Sequence, residues 1–355
     1  MNVSFFMRQF NERGTSVATY DYAKYNEELL GNKSYIICFN PLKNSNRTCG
    51  LPNEYESMDV DSNLRGSKEK GSNKGSLSVE NNSYNRFVCR FEMIEIADIT
   101  DMKWVIEKYD LDFFYTLASG ELDDIYQFGC SELWGKCKTI KHCVFNTEYP
   151  ESDFHISISN ALNEKYHTNL VVIPHIVSLP ECDEDLRDEL DIPKDVIVLG
   201  RYGGKDEFNI PDTKQAIEDF LYHDPSVYFL FMNTFPFYDH PNIIYLKGSL
   251  DPIYKVKFIN TCDAMIHGRE MGETFGLSIA EFSSKNKPVI TCPCGDLEHI
   301  RILGDRAILY HNKDDLFDIF CHIRERIGVR TDWNAYSMFT PYKVMKLFQN
   351  FIFGC

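Results

Sequence analysis

The sequence predicts an α/β protein built as two Rossmann-like, parallel-sheet domains facing each other across a cleft. Three observations lead there. Strand-like and helix-like segments alternate along most of the chain, as the units of a parallel sheet do. The length, 355 residues, suits two domains at roughly 100–200 residues each. The alternation also breaks at ECDEDLRDELDIPKD, an acidic stretch ending near a proline that reads as an interdomain linker. The domains expected are 1–180, 181–335, and a closing amphipathic run over 336–355 that packs back on the first domain.

In chain order, Val3 to Met7 reads as the first strand, Thr15 to Leu30 as a helix and SYIICFN as the second strand. From 42 to 85 the pattern lapses into Asn, Ser, Gly and Lys with almost no apolar periodicity, the composition of a mobile surface insertion. Its GSKEKGSNKGS is no phosphate loop: G-K-[ST] is missing at the required place and no strand precedes it. FVCRFEMIEI then reads as a strand, DITDMKWVIEKYD as a helix, and LDFFYTLAS and CKTIKHCVFN as strands. SISNALNEKY follows as a helix and LVVIPHIV as a strand. Beyond the linker the strands are VIVLG, VYFLFMN, IIYLKG, DAMIHG, KPVITC and AILYH. The intervening helices centre on KQAIEDFL, KVKFIN, GLSIAEFSS, DLEHIRIL and DLFDIFCHIRERI. Open parallel sheets bind ligands beyond the carboxyl ends of their strands, so both domains aim a site into the cleft.

Hydrophobic residues are 43% and charged residues 25%, ordinary values for a cored globular chain. The formal charge of −16 argues against nucleic acid or an anionic membrane as partner, since both reward a basic face. No apolar run reaches the roughly 18 residues of a membrane span, and Arg8 and Asn11 interrupt the N-terminus where a signal peptide is apolar. Twelve cysteines occur without a C-x-x-C pair, several in strand-like runs. They read as reduced hydrophobes of a cytoplasmic protein, with no metal site and no cofactor expected.

The chemistry concentrates in HGREMGETFGLSIAEFSSKNKPVI, residues 267–290. A strand ends near His267, a glycine-bearing loop follows, and a helix begins near Gly276. The free amides of Phe275, Gly276 and Leu277 then face outward, a ready phosphate site beside Thr274. Glu273 lies on the loop and Glu281 in the helix. Ionised carboxylates accept from vicinal hydroxyls, so amides and carboxylates together suit a diphosphate joined to polyols. Elsewhere, VIVLGRYGGKDE puts Arg201 and Lys205 at a strand end, where a guanidinium fork and a mobile ammonium could neutralise phosphate.

The 267–290 segment closely resembles the E-x7-E region of retaining nucleotide-sugar glycosyltransferases of the GT-B fold, family four. Glu273, Phe275, Gly276, Glu281 and Lys287-Pro288-Val289-Ile290 stand in register with it. The family also runs its first C-terminal strand into Gly-Arg with a nearby Lys, matched by Gly200, Arg201 and Lys205, although the spacing to Lys205 is shorter than usual. YLKGSLD resembles the turn that approaches the base, which brings in Lys247, Gly248 and Ser249. RGTSVATYDYAKYN stands where the family has its glycine loop, which points to Gly14 and Thr15, without the usual double glycine. Its wording is similar to a subgroup seen in large DNA viruses and some microbes. The resemblance covers 190–310 well and 1–40 moderately.

What the resemblance implies is a GT-B hexosyl- or pentosyltransferase. It would move sugar from a UDP- or GDP-type donor to a hydroxyl of a glycan, protein or small molecule, with retention and without metal. Glu281 would hold the ribose. Arg201, Lys205 and the 275–277 amides would hold the diphosphate, Glu273 would orient the donor sugar, and His142 with Asn146 would lie near the transferring sugar. Three other readings stand beside it: a catalytically silent GT-B domain binding a glycan or partner, a nucleotide-sugar epimerase, and a glycogen-synthase-like enzyme. A dinucleotide oxidoreductase is disfavoured, because neither half has G-x-G-x-x-G after its first strand.

Overall fold

The computed structural model describes residues 1–11, 14–40, 83–122 and 124–354. The 42–85 insertion of the sequence reading therefore lies outside the described residues, apart from its last three positions.

The first sheet has seven parallel strands: β1 (Asn2–Met7), β2 (Lys33–Phe39), β3 (Glu92–Ile96), β4 (Phe113–Ala118), β5 (Lys138–Cys143), β6 (Phe154–Ser157) and β7 (Val171–Val172). Their spatial order is β3-β2-β1-β4-β5-β6-β7. Val3, Phe5 and Phe6 on β1 are all buried, as expected of a strand covered on both faces. Helix α1 (Gly14–Glu28) covers one face, with Ala18, Tyr22 and Ala23 buried. Helices α2 (Met102–Tyr109) and α3 (Asn160–Lys165) also pack around this sheet.

The second sheet has six parallel strands: β8 (Ile197–Tyr202), β9 (Val227–Met232), β10 (Ile243–Leu246), β11 (Ala264–Ile266), β13 (Val289–Thr291) and β15 (Ala307–Leu309). They run in the order β10-β9-β8-β11-β13-β15. A separate two-stranded ladder joins β12 (Gly272–Glu273) to β14 (Asp296–Leu297). The helices here are α4 (Pro211–His223), α5 (Pro252–Thr261), α6 (Leu277–Ser284), α7 (Glu298–Leu303), α8 (Lys313–Cys321) and α9 (Ile323–Gly328). The last helix, α10 (Pro341–Phe353), leaves this half. It buries Val344, Met345, Phe348 and Ile352 in the core under the first sheet.

Each sheet reverses its strand order beside its first strand, at β1/β4 and at β8/β11. A crevice opens at the carboxyl ends of such a switch point. Here the two crevices merge into one cavity of about 690 Å³, lined by Met7 and Leu117 from one sheet and by Tyr202 and Gly203 from the other. This is the GT-B architecture.

Three local expectations need correction. FVCRFEMIEI is strand only from Glu92, and residues 83–88 are helical. Phe87 and Phe91, four apart, share a face and both pack on Tyr20, with ring centroids 5.2 and 5.4 Å away. LVVIPHIV supplies only two strand residues, since Pro174 brings no amide to a ladder. FHIS is β6: residues 154–156 are unassigned from sequence, and Ser157, read as the start of a helix, ends the strand while the helix begins at Asn160.

Candidate functional site

Two glutamates face this cavity from adjoining elements. The chain leaves β11, turns through Gly272 (φ +62°) and reaches Glu273 in the ladder with β14. A side chain at Gly272 would lie 2.2 Å from the Cys294 carbonyl oxygen, so only glycine allows this crossing. Gly276, with φ +79°, then caps α6 from the left-handed region and aims the helix's unpaired first amides at the cavity. The partial positive charge of that terminus favours an anion there.

The Glu273 carboxylate is held from both sides. Arg269 Nη1 donates to Oε2 at 3.0 Å and His267 Nε2 donates to Oε1 at 3.3 Å. Burial pushes this carboxyl up, but His267 and Arg269 outweigh it and hold Glu273 below its ordinary value. With Nε2 donating, His267 Nδ1 accepts from the Thr291 hydroxyl (2.9 Å), which in turn accepts from His299 Nε2 (3.2 Å). Burial, then His267, push His299 down to about 3, so it is neutral near pH 7. The chain of bonds fixes the orientation of Glu273 from behind.

Glu281 is buried in α6 and meets Lys255 of α5, whose Nζ lies 2.9 and 3.2 Å from its two oxygens. The Tyr202 hydroxyl also donates to Oε2. Burial and the nearby Glu281 charge raise the Tyr202 phenol well above its ordinary value, so it stays a donor. The site thus juxtaposes helix amides for an anion with two carboxylates for hydroxyls.

Thr274, Phe275, Gly276 and Leu277 line the cavity, as do Gly248 and Ser249. Gly14 and Thr15 line it from the first domain; a Cβ on Gly14 would sit 3.8 Å from Leu277 Cδ2, so the halves touch here. Four sequence candidates are not brought to the lining. Arg201 is buried and donates to Thr234 Oγ1 (2.6 Å), the Asn233 carbonyl (3.3 Å) and the Gly204 carbonyl (2.9 Å). It stabilises the Gly203–Gly204 loop that lines the cavity, instead of facing a ligand itself. Lys205 is exposed, with its ammonium 4.7 Å from the Phe235 ring centre, and Lys247 is exposed. His142 is fully buried under the first sheet: Nε2 donates to the Ile173 carbonyl and Nδ1 accepts from the Tyr115 hydroxyl, both at 2.8 Å. With both nitrogens engaged it serves the core, the usual fate of a strand histidine. Its neighbour Asn146 bonds Glu121 and Glu148.

Titratable groups of the lining that sequence reading missed include Arg269, Lys255, Asp21 and His175, with Arg8, Arg86 and Glu207 beside them. Arg269 stands inside the quoted HGREMGETFG motif and could have been found there. Lys255 and Asp21 sit within helices with no local signal, and His175 follows a proline in irregular chain. Among the described residues, no group of three or more His, Cys, Asp or Glu side chains could hold a metal ion. No described helix is long and apolar enough to cross a membrane.

No protein-family model matches the chain, and no curated protein matches it in sequence. Solved structures match along almost its whole length. A glycosyltransferase from Rickettsia africae superposes with a TM-score of 0.63 at 15% identity, covering 98% of this chain and 94% of that one. Anabaena HepE in complex with UDP and glucose gives 0.67 at 13% identity, covering all of both chains. Sucrose-phosphate synthase from Thermosynechococcus elongatus gives 0.59 at 12% identity, over 98% and 95%. At these identities the likeness is one of fold.

Proposed function

We propose that this protein is a glycosyltransferase that moves a sugar from a nucleoside-diphosphate sugar to an acceptor hydroxyl with retention of anomeric configuration. One observation carries the reading: Glu273 and Glu281 flank the open N-terminus of α6 in a cavity closed by both sheets. The helix end suits the diphosphate, and the two carboxylates suit hydroxyls of the ribose and of the donor sugar. HepE, alike in fold, is known in complex with UDP-glucose.

In this reading the donor's diphosphate sits against the amides of 275–277 and the loop held by Arg201. Glu281 accepts from the ribose, and Glu273 from hydroxyls of the donor sugar. As the glycosidic C–O bond breaks, the electron pair goes to the leaving phosphate oxygen. The acceptor oxygen forms its bond on the same face and passes its proton to that leaving phosphate. Catalysis is then positional and electrostatic. No metal is assigned a part.

The test is incubation of the purified protein with UDP- and GDP-sugars, following nucleotide release and product. Glu281→Ala is expected to weaken donor binding, and Arg201→Ala to slow transfer by loosening the 203–204 loop. Unchanged nucleotide affinity and turnover in both variants would remove the assignment. A second reading is favoured by a neighbour described as a UDP-N-acetylglucosamine 2-epimerase from Listeria monocytogenes, TM-score 0.56 at 9% identity. A sugar nucleotide epimerised without transfer would select it. Donor binding without any turnover would select a silent binding domain.

A further inference from the structure

Glu281 is nearly saturated before any ligand arrives. A carboxylate has about four lone-pair sites, and Lys255 takes one on each oxygen while Tyr202 takes another on Oε2. About one site remains, on Oε1, and a ribose offers two vicinal hydroxyls. The second hydroxyl needs another acceptor.

Asp21, on α1 of the opposite domain, is 7% exposed and lines the same cavity. Among the described residues its carboxylate has no hydrogen-bond or ion-pair partner. Glu281 and Lys255 face it across the cleft within electrostatic reach, while Arg86 and Lys24 approach from its own side. An unpartnered carboxyl this buried costs stability, and such groups cluster where a ligand completes them.

We propose that Asp21 is the second acceptor for the ribose diol, so that the nucleoside is gripped by Glu281 from one domain and by Asp21 from the other. This rests on the reading of Glu281 as a ribose contact and deepens it. Asp21 is a specificity residue for the nucleoside end of the donor, and its bond would tie nucleotide binding to apposition of the two halves. The position beside Glu281 and Lys255 argues for the nucleoside rather than the acceptor, which would enter at the far, sugar-bearing end.

The experiment is calorimetric titration of the intact protein at pH 8.5, where the Asp21 carboxyl is ionised, with whichever of UDP and GDP binds more tightly, and with its 2′-deoxy and 3′-deoxy forms. The wild type should discriminate against both deoxy ligands, each by roughly tenfold, the worth of one good hydrogen bond to a charged acceptor. Asp21→Ala should bind the parent nucleotide roughly tenfold more weakly and lose discrimination against one deoxy form only, the other staying with Glu281. Asp21→Asn, which keeps a neutral acceptor, should fall between them, and it carries the measurement should the alanine variant not fold. Full discrimination against both deoxy forms in the Asp21 variants, with wild-type nucleotide binding intact, overturns the proposal while leaving the glycosyltransferase reading standing. Failure of the wild type to bind either nucleotide overturns both.

Discussion

Asp21 and the buried histidines titrate in opposite senses. Burial pushes Asp21 up from 3.8 to about 7, tempered by Arg86, Lys255 and Lys24 and reinforced by Glu281. Between pH 3.8 and 7 the folded chain keeps a proton that the unfolded chain releases, so stability from this group is full below pH 3.8 and declines toward pH 7. Burial pushes His142 and His299 down to about 3, and His155 and His175 to about 4. Below pH 6.5 the unfolded chain binds protons these folded imidazoles refuse, and each group costs up to about 1.4 kcal/mol per pH unit. Denaturant midpoints should therefore fall as pH drops from 6.5 toward 4. Asp21→Asn should exceed the wild type in stability at pH 8 and lose that advantage near pH 4. Equal midpoints for the two proteins at both pH values would contradict the buried, unpaired state of Asp21.

At the scale of the element, α6 depends on a left-handed entry. Gly276 at φ +79° turns the chain from Glu273 into the helix, and an added Cβ would stand 3.3 Å from Glu273 Cβ. Gly276→Ala should cost about 1–2 kcal/mol in unfolding free energy, read by urea titration. It should also weaken nucleotide binding, because the same turn aims the amides of 275–277. A variant that lost stability but bound nucleotide unchanged would separate the helix end from the site. The motif from 267 to 290 was legible because strand, loop and helix are contiguous, so residue order alone fixes which groups meet. His142 was misread for the complementary reason: a strand's sequence does not reveal which layer covers each face, and here Tyr115 and Ile173 take both ring nitrogens.

At the scale of the molecule, residues 333–353 lace the two halves together. Trp333 accepts from Ser283 Oγ (2.9 Å), the Tyr336 hydroxyl donates to the Phe275 carbonyl (2.9 Å), and the Phe339 carbonyl accepts from the Val177 amide (2.8 Å). Phe348 then packs beside Tyr22 and Tyr115, with centroids 5.6 and 6.0 Å apart. Phe348→Ala should cost about 3–5 kcal/mol by opening a core cavity, seen as a lowered melting temperature. Through Tyr336 the same segment bears on the Phe275 turn of the site, so nucleotide affinity is expected to weaken alongside.

Sequence alone determined the α/β class, the two parallel-sheet halves and the glutamate-bearing motif, because periodicity and turn chemistry act over a few neighbouring residues. Only the tertiary structure decided which charges share the cavity. Arg201 turned inward to serve a loop, while Lys255, Asp21 and His175 reached the lining from separate elements. Such meetings depend on how sheets and helices stack across long stretches of chain, and no local pattern of residues encodes that distance.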